Sequence, residues 1–180
     1  MLVPLKIGDA PRNSCAVEEP PAMNLLRACH VRIRSHLQLA ERVLDPAGSI
    51  EARKDAGLQL ARYFGIALPL HAEDEDVSLA QRVRDLAQPQ VTAALETMEA
   101  EHVDVERHLG VLVPAWRALS ETGVLPEPSR TAEQTRAFAS LMALHLGQEE
   151  ARIFPAMLAG FTGETWAEIH QEMKERRQLS

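Results

Sequence analysis

The chain has few aromatic residues. Phe, Trp and Tyr make up 4% of its 180 residues, although 46% of the chain is hydrophobic. Packing therefore falls to Leu, Ala, Val and Met, which suits helices better than sheets. It has only two cysteines, Cys15 and Cys29, too few for a secreted disulfide framework and without metal-type spacing. Both are expected to be reduced. No run of about 18 apolar residues exists, so no membrane span is expected. No charged leader followed by a long apolar stretch opens the chain, so no signal peptide is expected. Basic residues are outnumbered: the formal charge is -7 and the pI about 5.5, which argues against binding a phosphate backbone. A Gly-rich phosphate loop, a His-Glu-x-x-His zinc motif, and a serine or cysteine nucleophile in a recognisable setting are missing too. These absences leave a cytoplasmic protein with neither nucleic acid nor membrane as partner.

What is present is helical periodicity. Residues 1–21 hold Pro4, Pro11, Pro20 and Pro21 and read as an N-terminal arm, with Leu2, Val3, Leu5 and Ile7 able to pack on the rest. Residues 22–180 then form one domain. The spacing predicts a first helix over about 23–44, with Leu26, His30, Ile33, Leu37, Ala40 and Leu44 on one face. Ser49 is a good N-cap for a second helix over about 50–87. Its stripe runs Leu60, Phe64, Leu68, His71, Glu75 and Leu79, with a kink expected at Pro69. A third helix opens at Pro89 and carries the most regular stripe, through Met98, His102, Val105, Leu109 and Trp116, with a bend or break expected at Pro114. A fourth is predicted to start near Thr131, with Glu133 and Gln134 as capping partners, and to end or kink at Pro155. Its stripe includes Phe138, Met142, His145, Glu149 and Ile153. A short fifth helix from about Gly163 presents Trp166, Ile169 and Met173 on one face, with Arg176 and Arg177 in its last turns.

Each of the four long helices thus carries one histidine in its apolar stripe. His30 and His71 are 41 residues apart, His102 and His145 are 43 apart, and His71 and His145 each precede a glutamate by four, Glu75 and Glu149. Both halves read helix with His, turn, helix with His-x-x-x-Glu. The short turns favour antiparallel neighbours and an all-α, up-down-up-down four-helix bundle, with the arm and a short fifth helix added. Positions i and i+4 share a helix face, so His71 with Glu75, and His145 with Glu149, can each reach one metal site. Four imidazoles and two carboxylates in buried stripes require something to satisfy them. A pair of metal ions fits, and the donor set suits iron, with zinc or manganese less distinctive. One His-x-x-x-Glu alone is weak evidence, since His102 also has Glu106 at i+4. The remaining histidines, His36, His108 and His170, fall beside the stripes and are expected to be exposed or ordinary hydrogen bonders.

The order His, His-x-x-x-Glu, His, His-x-x-x-Glu resembles the hemerythrin-like, or HHE cation-binding, family. The segment His71-Ala-Glu-Asp-Glu75-Asp resembles that family's second-helix motif. His145-Leu-Gly-Gln-Glu149-Glu-Ala-Arg-Ile-Phe-Pro155 resembles its fourth-helix motif, and the likeness covers about residues 23–160. It implies a four-helix bundle with two non-haem iron ions bridged by carboxylate and oxo groups. Carried over residue by residue, the ligands are His30, His71, Glu75, His102, His145 and Glu149. Where oxygen-carrying hemerythrins have a further histidine one turn after the third-helix ligand, this chain has Glu106, a candidate seventh ligand. A carboxylate there favours the ferric state and weakens the analogy with reversible oxygen carriage. The expected partner is a small diatomic or peroxide ligand, and the expected role is binding or sensing oxygen, peroxide or nitric oxide, or handling iron. A peroxide-decomposing enzyme and a metal-free helical interaction domain are the alternatives. The arm and the fifth helix are candidate surfaces for a homodimer or for another partner contact.

Overall fold

A computed structural model describes residues 18–179. The arm, Cys15 and the apolar residues near the start lie outside the described residues, apart from the last few positions before the first helix. Every regular element among the described residues is helical, in five rods. α1 spans Pro21–Arg42. α2 begins as Ile50–Arg62, passes through a π turn at Tyr63–Ala67, resumes over Leu68–Glu73, passes through a second π turn at Asp74–Leu79, and closes with Ala80–Arg84. α3 is one continuous helix, Pro89–Thr122. α4 runs Pro128–Gln148, a π turn at Glu149–Ile153, then Phe154–Gly160, and α5 spans Gly163–Leu179. No helix among the described residues is long and apolar enough to cross a membrane.

The caps explain where the rods begin and stop. Ser49 accepts from the Ala52 amide at 3.2 Å and opens α2 as expected. Gly123, at φ 75°, ends α3 in the left-handed conformation, with its amide on the Leu119 carbonyl. α4 starts at Pro128 rather than near Thr131, and without a side-chain cap. Thr131 already lies in the first turn, its hydroxyl donating to the Pro126 carbonyl at 2.7 Å. Glu133 and Gln134 therefore cap nothing.

The prolines act differently from one another. Pro114 neither breaks nor ends α3. Pro69 and Pro155 each follow a residue that closes a π turn: the Leu68 amide reaches the Tyr63 carbonyl, and the Phe154 amide reaches that of Glu149. The wider turn makes room for a proline ring that would collide with an α-helical carbonyl four residues back. α4 accordingly continues past Pro155 instead of ending there. The π turns also repair register. The α2 stripe steps mostly by four, which over-rotates an α-helix with each step. An extra residue in each of two turns returns Leu79 and Val83 to the same interior as Leu60 and Phe64, and all four are buried.

Two apolar clusters fill the interior. One gathers the C-terminal half of α1, the N-terminal half of α2, the later part of α3 and the middle of α4, around Trp116, Phe64 and Phe138. The other gathers the start of α1, the end of α2, the start of α3, the end of α4, and Trp166, Ile169 and Met173 of α5. Between them lies a polar layer containing all four stripe histidines.

Two contacts lock the rods. Gly57 sits where α2 touches α3: a Cβ there would stand 2.6 Å from the Ser120 amide nitrogen and 2.8 Å from the Trp116 carbonyl oxygen. Backbone cannot yield as a side chain can. Gly57→Ala should therefore lower stability by about 1–3 kcal/mol despite alanine's better helix propensity, and thermal unfolding will read the loss. The second contact binds α5 to α2. Asp74, fully buried, accepts from Arg176 and, at 2.5 Å, from Arg177, while Arg176 also donates to the Ser78 hydroxyl at 3.1 Å. These arginines anchor a helix as well as complementing its dipole. Asp74→Ala removes the buried carboxylate shared by both guanidinium groups, leaving Arg176 to Ser78 and Glu73 and Arg177 to the Met173 carbonyl, and should cost about 3 kcal/mol in denaturant unfolding.

Candidate metal centre

The polar layer is built from the α1, α2, α3 and α4 stripes. His30, His71, His102 and His145 are 0–7% exposed, and Glu75 and Glu149 are 1% and 0% exposed. Helical spacing aims each of them at the common axis, as the stripes require. Glu75 places Oε1 3.3 Å from His71 Nε2 and Oε2 3.3 Å from His102 Nε2. Glu149 places Oε1 3.0 Å from His145 Nε2 and Oε2 3.1 Å from His30 Nε2. Each carboxylate thus spans two imidazoles that belong to different halves of the chain.

Two groups of four donors result, His30, His71, Glu75 and Glu149, and Glu75, His102, His145 and Glu149. Within each group the donor atoms lie within 4.8 Å of one another, and both carboxylates are common to both. The fit to a cation can be tested on hydrogen bonding. His30 Nε2, His102 Nε2, both nitrogens of His71 and all four oxygens of Glu75 and Glu149 are buried without a hydrogen-bond partner. Buried polar atoms are normally satisfied, so this concentration of orphans in one layer is unusual. Two donors at right angles, each about 2.1 Å from one ion, stand about 3.0 Å apart. The nitrogen–oxygen separations of 3.0–3.3 Å match that arrangement, and the donors fit a bound metal. Of the residues expected to form the site, six converge. Glu106 does not join either group: it is exposed and lines a cavity beside them.

The centre has a supporting ring that the stripe pattern does not reveal. His30 Nδ1 contacts Glu150 at 2.8 Å, His102 Nδ1 contacts Asp76 at 2.9 Å, and His145 Nδ1 contacts Glu101 at 2.9 Å. Carboxylates here accept, so Nδ1 holds a proton and Nε2 is turned inward. Glu150 is itself held by both terminal nitrogens of Arg34. The three carboxylates are sequence neighbours of the inner residues: Glu150 follows Glu149, Asp76 follows Glu75 and Glu101 precedes His102. The equivalent neighbour before His30 is Cys29, a buried free cysteine. Burial raises its thiol pKa, but the adjacent His71, with Arg177 and Arg32, brings it below the ordinary value. The histidines off the stripes stay apart from the centre: His36 stacks on Tyr63, and His108 hydrogen-bonds Gln134.

The geometry is that of a helical cation-binding domain. The chain matches the family model described as Hemerythrin HHE cation binding domain over residues 22–176, and it belongs to that family. No curated protein matches it.

Without a cation, protons take the same positions. Burial pushes the His71 imidazolium down, but Glu75 and then Cys29 and Glu149 outweigh it and lift its pKa to about 9. His102 is likewise opposed by burial and lifted by Asp76 and Glu75 to about 10. His145 is raised by Glu149 against burial. Burial opposes ionisation of Glu149, yet His145 and His30 hold it well below the carboxylate range. The raised histidines contribute stability that is complete below their ordinary 6.5 and lost as pH rises through about 9 to 10. The depressed glutamate contributes stability present above its ordinary 4.5 and lost as pH falls. Metal-stripped protein should thus be most stable between these limits and weaken steadily from neutral to pH 10, measured by denaturant unfolding.

Proposed function

We propose that this protein binds two iron ions, with His30 and His71 holding one, His102 and His145 the other, and Glu75 and Glu149 bridging both. The observation that carries the reading is the sharing of each carboxylate between imidazoles of both halves. Both carboxylates belong to both groups of four donors, as a shared pair would. A bound iron pair supplies redox chemistry and open positions for a small ligand. The chain's own contribution is to fix six buried donors and hold Nδ1 of three histidines through Glu150, Asp76 and Glu101.

The role follows as binding or sensing oxygen, peroxide or nitric oxide in the cytoplasm, with peroxide decomposition the catalytic variant. An up-down-up-down four-helix bundle belongs to the same proposal. Its support is that the start of α1 shares an apolar cluster with the end of α2, the start of α3 and the end of α4. The metal-free alternative predicts arginine partners for the inner glutamates. The ion pairs of Glu75 and Glu149 are with histidines instead, and Arg107 pairs with Asp104.

Elemental analysis of purified protein should give close to two irons per chain. His71→Ala and Glu149→Ala should each lose most of that metal and lower the melting temperature, whereas His36→Ala should keep both. Unchanged metal content in the first two variants would overturn the assignment. Glu101→Ala, which frees His145 to turn, should weaken metal retention about 10–100-fold in a chelator competition.

A further inference from the structure

One cavity opens onto the centre. Its volume is about 300 Å³, and it lies between α2, α3 and α4. It is lined by three of the inner histidines, His71, His102 and His145, and not by His30. His30 is covered instead by Phe154, whose ring centroid is 4.9 Å from the imidazole's. The two candidate ion positions therefore differ in access: the one at His102 and His145 faces the cavity with both of its imidazoles, the other with one.

The size and lining say more. A cavity of about 150 Å³ lined by apolar side chains holds benzene, and one water takes about 30 Å³. A diatomic molecule leaves most of this chamber unfilled. The inner walls are Leu68, Val105, Leu109 and Met142, all buried. The remaining polar lining is Glu73, Asp76 and Glu106, three carboxylates, and no lysine or arginine lines it. The apolar walls suit a compact apolar body; of the three carboxylates Glu73 is paired with Arg176 and Asp76 with His102, so Glu106 carries the uncompensated negative charge that disfavours an anion at the wall.

We propose that this cavity is a ligand chamber for a neutral, branched or short-chain alkyl molecule with one oxygen-bearing head, of the alkyl hydroperoxide and alcohol class. The alkyl body sits against Leu109 and Met142 and the head faces His102 and His145. Glu106 acts here as a charge filter at the chamber wall. What the head meets at the floor rests on the metal reading, but the chamber and its selectivity do not.

Saturation-transfer NMR on the full-length protein tests this with tert-butanol as the neutral probe and pivalate as its anionic counterpart. Metal content is measured on the same samples. Saturable transfer to tert-butanol is expected, with pivalate bound about tenfold more weakly, and Glu106→Gln should narrow that ratio. Leu109→Trp fills the chamber and should abolish transfer. Val77→Trp, placed at an exposed lining residue where folding is not at stake, should reduce it. Absence of saturable transfer in the native protein, or transfer untouched by both tryptophan variants, would overturn the chamber. Equal binding of pivalate and tert-butanol would overturn the charge filter. Iron without probe binding refutes this inference alone, and probe binding without iron refutes the metal reading alone.

Discussion

Two carboxylates in the middle of an apolar interior are the constraint from which the rest follows. Glu75 and Glu149 are withdrawn from water, and an ionised carboxylate so placed must be neutralised by something close and well aligned. Here each is met by two imidazoles from opposite halves of the chain. That demand fixes the relative depth of the four helices that carry these histidines, because sliding any one of them would separate a nitrogen from its oxygen. The two apolar clusters above and below then act as clamps on a layer that apolar packing alone would expel.

The outer carboxylates extend this logic. Glu150, Asp76 and Glu101 bring further negative charge to the imidazoles; Arg34 offsets that of Glu150, and the rest favours a cation between the imidazoles. The outer position without a carboxylate is Cys29, whose thiol interacts with His71, so the support of the centre is uneven: three imidazoles face an outer carboxylate and His71 faces a thiol.

Much of this was legible from periodicity. The α3 stripe from Val91 to Leu119 is buried throughout, because a long straight helix obeys a single repeat. All six inner residues could be named from their place in a stripe, since burial of a polar side chain is itself the signal. Glu106 could not be judged that way: it lies just off the stripe, and a small rotation separates a ligand from a rim residue. The π turns were visible only as a suspicious run of four-residue steps in α2, and as prolines that a plain α-helix would reject. Pro155 misled for this reason, since a wider turn absorbs the ring and lets α4 continue. The supporting carboxylates were hidden because their partners are on other helices. Only their adjacency to the inner residues hinted at them.

The exchange of carboxylates between halves has a geometric corollary. The segment of α1 and α2 supplies His30, His71 and Glu75, and the segment of α3 and α4 supplies His102, His145 and Glu149. Each segment is thus an incomplete set of donors, and because each carboxylate faces an imidazole of both, a lesion in either segment disturbs both groups of four rather than one.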